Sequence, residues 1–180
     1  MNTDLLTPTD HSQTLLTFIL DEIMLALPVE PVRQIIEMVT ITPIPQVNHS
    51  IVGVINFHGS IVPVVDLRKH LGFSVTALHL HTPIILVSIK DKLVGLIVDQ
   101  VLDVLSWPER KISYPQDVLP EDFGDVPLLK GVMQTNRNTV FLIDLAFLFK
   151  PQQVLALQAA AQVDFSSLPE SQPQETISKH

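Results

Sequence analysis

The stretch Ser50-Ile51-Val52-Gly53-Val54-Ile55-Asn56-Phe57-His58-Gly59-Ser60-Ile61-Val62-Pro63-Val64-Val65-Asp66-Leu67-Arg68 decides the fold. Two runs of β-branched residues flank His58-Gly59, the pattern of two extended segments joined by a turn in which glycine supplies a positive φ. The second run ends on Asp66, placed to accept backbone N–H bonds at the start of a short helix. Gly53 and Pro63 interrupt the runs. Inside a strand, glycine marks a bulge or the close approach of another backbone, and proline points to an edge strand or a bulge.

The same texture continues in both directions. Strands are expected over 15–20, 24–28, 39–41, 52–57, 61–65, 84–89, 93–98, 101–105, 129–134 and 140–143. Asp21-Glu22, His58-Gly59, Lys90-Asp91-Lys92 and Arg137-Asn138 break the pattern with turn chemistry. Two helical exceptions stand out. Residues 30–37 carry Pro31 near their start and Val32, Ile35 and Ile36 at one-face spacing, which predicts a helix; a second short helix follows Asp66. Strands this short and numerous, with few helices between them, predict an all-β barrel or a pair of barrels and leave no room for a βαβ nucleotide fold. An echo supports two related lobes: the runs ending at Asp66, Asp99 and Asp144 each lead an apolar strand into a single aspartate.

The module is expected to occupy 14–150. Residues 1–13 read as a flexible lead, 151–162 as a helix rich in Ala and Leu, and 163–180 as a disordered tail dominated by Ser, Pro, Gln and Glu.

Composition narrows the function. Of the 180 residues, 11 are Lys or Arg and 19 Asp or Glu, giving a net charge of −8. That balance argues against a nucleic-acid or anionic-membrane binder, which needs basic side chains to neutralise phosphate. The absence of cysteine removes disulfides, thiolate metal sites and a cysteine nucleophile. No apolar run approaches the roughly 20 residues of a membrane helix, and the polar start lacks the pattern of a secretory signal, so a cytoplasmic location is the default.

Catalytic signatures are missing: there is no Gly-x-Ser-x-Gly elbow, Gly-rich phosphate loop or His-Glu-x-x-His stretch. Asp66, Asp99 and Asp144 could form a carboxylate cluster for a hard cation, but Asp66 and Asp144 read better as helix N-caps. His70, His79 and His81 are the other candidate ligands. His79 and His81 would share one side of an extended segment, yet a zinc site wants three or four ligands and a second shell. No catalytic residue, metal or cofactor is expected, and the functional surface is one that binds protein.

The 50–68 stretch resembles the signature of the CheW family of chemotaxis adaptors, which reads apolar–Gly–Val–x–Asn–Leu–Arg–Gly–x–Ile–x–Pro–Val–x–Asp–Leu–Arg at this point. Residues 92–104 followed by Ile112-Ser113-Tyr114-Pro115 resemble it too. So do Leu129-Lys130-Gly131-Val132 with residues 140–144, and Val32-Arg33-Gln34-Ile35-Ile36 with Ile44-Pro45. The blocks keep their order across about 135 residues, from Thr14 to Phe149.

The resemblance implies two SH3-like five-stranded β-barrel lobes sharing an apolar core. It also implies a non-catalytic adaptor that couples the cytoplasmic hairpin tip of a chemoreceptor to the regulatory domain of a CheA-type histidine kinase, in chemotaxis or a pilus-based motility pathway. The protein would then be recruited to membrane-bound receptor arrays without inserting in the membrane. Val32, Gln34, Ile35, Gly53 and His58 would face the receptor; Gly95, Asp99 and Gly131 would face the kinase. Two positions depart from the family pattern: His58 stands where Arg is usual and Gln34 where Glu is frequent. In the family these two form a polar pair at the receptor surface, and here its fixed charges are gone. Two rival readings follow, a CheW-fold protein that caps or limits arrays and a barrel that binds a metal or small molecule through His70, His79 and His81.

Overall fold

The computed structural model describes residues 11–45, 49–118, 127–135, 138–149 and 153. Among these residues ten strands run in the order β1 (Ser12–Leu20), β2 (Ile23–Pro28), β3 (Val32–Glu37), β4 (Ile51–Phe57), β5 (Ser60–Asp66), β6 (Pro83–Ile89), β7 (Lys92–Ile97), β8 (Gln100–Pro108), β9 (Leu129–Gln134) and β10 (Thr139–Ile143). Short helices α1 (Leu67–Leu71), α2 (Pro115–Val118) and α3 (Leu145–Leu148) follow β5, β8 and β10. The strands form two five-stranded sheets, β8-β1-β2-β10-β9 and β3-β6-β7-β5-β4. We call them the terminal lobe and the inserted lobe, because the second lies wholly between β2 and β8 in the chain. Each is an SH3-like barrel, closed where the segment beyond one edge strand reaches the opposite edge: Ser113 bridges Val132, and Thr42 bridges Val54.

The lobes correspond strand for strand. Each holds one parallel pair, β10 with β2 and β5 with β7. The hairpins β4–β5 and β9–β10 slip register one residue before a glycine, at Val52 before Gly53 and at Lys130 before Gly131. In both, the second strand of the hairpin runs into an aspartate that caps a helix. Asp66 accepts from the Arg68 N–H, and Asp144 from the Ala146 N–H. The echo in the sequence is therefore real for Asp66 and Asp144. Asp99 instead follows β7 and caps nothing.

Alternation along the strands divides the interior in three. Leu16, Phe18 and Leu20 of β1, Leu25 and Leu27 of β2, Ile85, Val87 and Ile89 of β6 and Val94 and Leu96 of β7 meet in a core shared by both lobes. The opposite faces fill the barrels, with Ile84, Leu86, Val62 and Val64 in the inserted lobe and Leu15, Ala26, Val140 and Leu142 in the terminal one. Strands buried on both faces read as continuous apolar runs, which explains the texture of the sequence. Burying a side chain of this size contributes about 1.5–3 kcal/mol.

Several expectations need correction. Residues 30–37 hold a strand, not a helix: Val32 pairs with Val87 but Gln34 with Leu86, so Arg33 is bulged. The extra residue breaks the period of two, and Val32 and Ile36 pack on different cores at a spacing that imitates a helical stripe. Residues 39–41 are not a strand; only the next residue, Thr42, makes a bridge. At the N-terminus, Ser12 and Gln13 belong to β1, paired with Pro108 and Trp107. Pro63 lies in a strand with neighbours on both sides rather than at an edge. It is tolerated because Val54, opposite, spends its own N–H and C=O on Thr42, and the ladder to β7 begins only at Val64. Residues 1–10, the 163–180 tail and, apart from Gln153, the 151–162 helix lie outside the described residues, as does Arg137.

Three two-residue turns use positive φ at both central positions: Asp21 and Glu22 (49° and 68°), His58 and Gly59 (49° and 80°), and Lys90 and Asp91 (48° and 61°). This handedness matches the twist of the strands they join.

Candidate functional interface

Between the lobes runs an open groove of about 310 Å³, walled by Ile35, Ile36, Glu37, His81 and Pro83 of the inserted lobe and by Asp99, Gln100 and Val101 at the crossing to the terminal lobe. The bulge at Arg33 turns β3 so that Gln34 and Ile35 are exposed while Val32 and Ile36 pack inward. Ile35 keeps 41% of its surface exposed, a large apolar side chain at the lip of a groove. Beside it the His81 Nδ1 lies 3.1 Å from a Glu37 carboxylate oxygen.

His58 occupies the first position of the β4–β5 turn, with its ring edge-on to Phe57 at 4.4 Å. Gln34 and His58 are both exposed, and no hydrogen bond joins them among the described residues. The three glycines expected at partner surfaces are buried. A Cβ on Gly53 would overlap the Thr42 carbonyl oxygen; on Gly131 it would overlap the Ile112 side chain, and on Gly95 it would lie 2.9 Å from Ile84 Cγ2. Their missing side chains admit neighbours of the same chain, and Gly53 and Gly131 do so at the closing points of the two barrels.

Asp99 has a different position again. Its Oδ1 accepts from Arg68 Nη1 at 3.0 Å and its Oδ2 from the Asp21 N–H at 2.7 Å. Arg68, only 1% exposed, is bidentate to Asp66 through Nε and Nη2 at 3.0 and 3.1 Å, and its Nη1 also meets Thr76 Oγ1. Burial disfavours the guanidinium charge. The hydrogen bond and charge of Asp66, then those of Asp99, outweigh it and raise the Arg68 pKa above its ordinary value.

The three candidate metal histidines are not brought together. His70 on α1 bonds through Nε2 to the Leu148 carbonyl, faces Ser50 Oγ through Nδ1 at 3.3 Å, and packs against the Phe149 ring. His81 pairs with Glu37, and the His79 backbone is tied to Thr82. No group of three or more His, Asp or Glu side chains suited to a metal occurs among the described residues. No helix among them is long and apolar enough to cross a membrane.

Sequence reasoning missed Glu37 and His81 as groove residues, the buried role of Arg68, and Val104 and Leu105 of β8. The last two are 55% and 38% exposed and pair with Leu16 and Leu15. They stand on the terminal lobe where Ile35 and Ile36, paired with Ile85 and Ile84, stand on the inserted one. β8 slips against β1 between Leu16 and Phe18, as β3 slips against β6, a correspondence that only the paired strands display.

Comparison with known proteins agrees with this architecture. The family model for the CheW-like domain matches residues 14–153. The chain is 36% identical over 130 residues to a chemotaxis protein CheW of Thermotoga maritima, covering 72% of this chain and 83% of that one. It is 36% identical over 112 residues to the chemotaxis protein CheW of Bacillus subtilis, covering 62% and 71%. Among solved structures, the scaffolding protein TtCheW of Thermoanaerobacter tengcongensis superimposes with a TM-score of 0.70 at 31% identity, over 79% of this chain and 96% of that one. Two SH3-like lobes around a shared core, with the family's pattern running through both, leave one conclusion: the chain belongs to the CheW-like family.

Proposed function

We propose that this chain is a non-catalytic adaptor that couples the cytoplasmic hairpin tip of a chemoreceptor to the regulatory domain of a CheA-type histidine kinase, and so joins receptor arrays at the membrane. The observation that carries this reading is the interlobe groove, with Ile35 exposed at its lip. A receptor helix lays an apolar stripe along such a wall, and the polar side chains around it fix the register. Gln34 and Ile35 serve this surface directly, Val32 by seating β3 on the shared core, Gly53 by letting the barrel close, and His58 at the β4–β5 turn. On the terminal lobe, Val104 and Leu105 offer an apolar edge to the kinase. Gly131 lets the terminal lobe close, Gly95 makes room inside the inserted lobe, and Asp99 lies at the crossing between the two.

Co-sedimentation of the full chain with a cognate receptor fragment and its CheA-type kinase tests the proposal. Both should be retained by the wild type. Ile35→Glu should lose the receptor and keep the kinase, whereas Val104→Glu with Leu105→Glu should do the reverse. Failure of the wild type to retain a kinase overturns the adaptor reading. Retention of the receptor alone supports a protein that caps arrays instead.

A further inference from the structure

Asp99 stands where the chain leaves the inserted lobe and enters the terminal one, after β7 and just before β8. Its carboxylate is divided between the lobes. Oδ1 takes a hydrogen bond from Arg68, itself locked to Asp66 at the end of β5, while Oδ2 takes the Asp21 N–H at the tip of the β1–β2 turn. Its own N–H donates to the Ile19 carbonyl of β1 at 3.1 Å. The same residue lines the groove.

The shared apolar core holds the lobes together, but hydrophobic attraction in itself has no direction. Charge-assisted hydrogen bonds do have direction. The Arg68 guanidinium is fixed in turn by Asp66 and Thr76, so it cannot follow if the terminal lobe pivots. A rotation of one lobe would stretch either the bond to Arg68 or the bond to Asp21.

We infer that Asp99 is a positioning residue, a clasp that sets the angle between the lobes and hence the geometry of the groove, rather than a contact for a partner. The groove's use rests on the adaptor reading; the clasp itself does not. If loosening leaves the competent angle populated about a tenth of the time, partner affinity falls about tenfold.

The chain has no cysteine, so two labels can be placed cleanly. Spin labels on Lys90→Cys in the inserted lobe and Lys111→Cys in the terminal lobe report the interlobe distance. Asp99→Asn should broaden or displace that distance and weaken receptor binding about tenfold. Gly59→Ala, which strains an exposed turn with nothing packed against it, should lower stability and leave the distance unchanged. A second measurement needs no variant at this site. In the wild type the Asp21 amide should exchange with solvent more slowly than the Lys90 amide at the corresponding turn, which no carboxylate among the described residues accepts. A distance distribution for Asp99→Asn identical to the wild type, or equal exchange at Asp21 and Lys90, overturns the clasp. A changed distance in a protein that binds no receptor or kinase would overturn the adaptor reading and leave the clasp standing.

Discussion

His70 on α1 of the inserted lobe holds the backbone carbonyl of Leu148 at the end of α3 of the terminal lobe. This is a polar tie between the lobes away from Asp99, and the His70 ring is half-buried against Phe149. Burial pushes the His70 pKa below its ordinary value of 6.5, with the Leu148 bond opposing the shift in part.

A histidine whose folded pKa is depressed binds fewer protons folded than unfolded, so its contribution to stability is complete above pH 6.5 and is lost as the pH falls below it. Denaturant melts between pH 7.5 and 5 should show stability falling with acidification. The His70→Gln variant, whose amide can still donate to Leu148, should show a shallower fall. Equal slopes for the two proteins would remove His70 as the source.

Arg68 is buried with two carboxylates, and removing one partner of such a network leaves uncompensated charge inside the protein. Arg68→Leu should destabilise by about 3–5 kcal/mol, measured by urea unfolding. A loss below about 1 kcal/mol would mean that water reaches Asp66 and Asp99 in the folded state.

Gly53 and Gly59 both have positive φ but differ in surroundings. At Gly53 (φ 150°) an added Cβ runs into the Thr42 backbone, while at Gly59 (φ 80°) it meets nothing within 4 Å. Gly53→Ala should cost at least about 2 kcal/mol and Gly59→Ala only about 1 kcal/mol. Similar losses at the two sites would show that conformational strain, not the barrel closure, dominates both.

The Lys90-Asp91 turn holds two side-chain-bearing residues in left-handed conformation. Replacement by Asn-Gly suits that turn type and should raise stability by about 0.5–1 kcal/mol, seen as a higher urea midpoint with an unchanged slope. A lower midpoint would count against the turn geometry.

Much of this protein is written locally. The two-residue turns, the aspartate caps at Asp66 and Asp144 and the apolar strands follow from short-range chemistry, and they were legible from residue type and spacing alone. The bulge at Arg33 was not. A bulge is decided by how two strands fit on a curved sheet, so residues 30–37 display a helical spacing while forming a strand. For the same reason Gly53, Gly95 and Gly131 announced close approach without revealing that the approaching groups belong to their own chain.

The candidate interface divides in the same way. Ile35, Gln34 and Asp99 were identifiable from the family's pattern, Asp99 as a residue facing the kinase, whereas Glu37, His81 and Asp99 meet at the groove only through folding, from three separate segments of the chain. The sequence by itself determined an all-β protein of one barrel or two, because burial on both faces of its strands and the chemistry of its turns are local properties. The tertiary structure decided which residues stand at the surface and which hold the lobes in register. The two oxygens of Asp99 acquire their different partners only when β1, β5 and β7 are packed together.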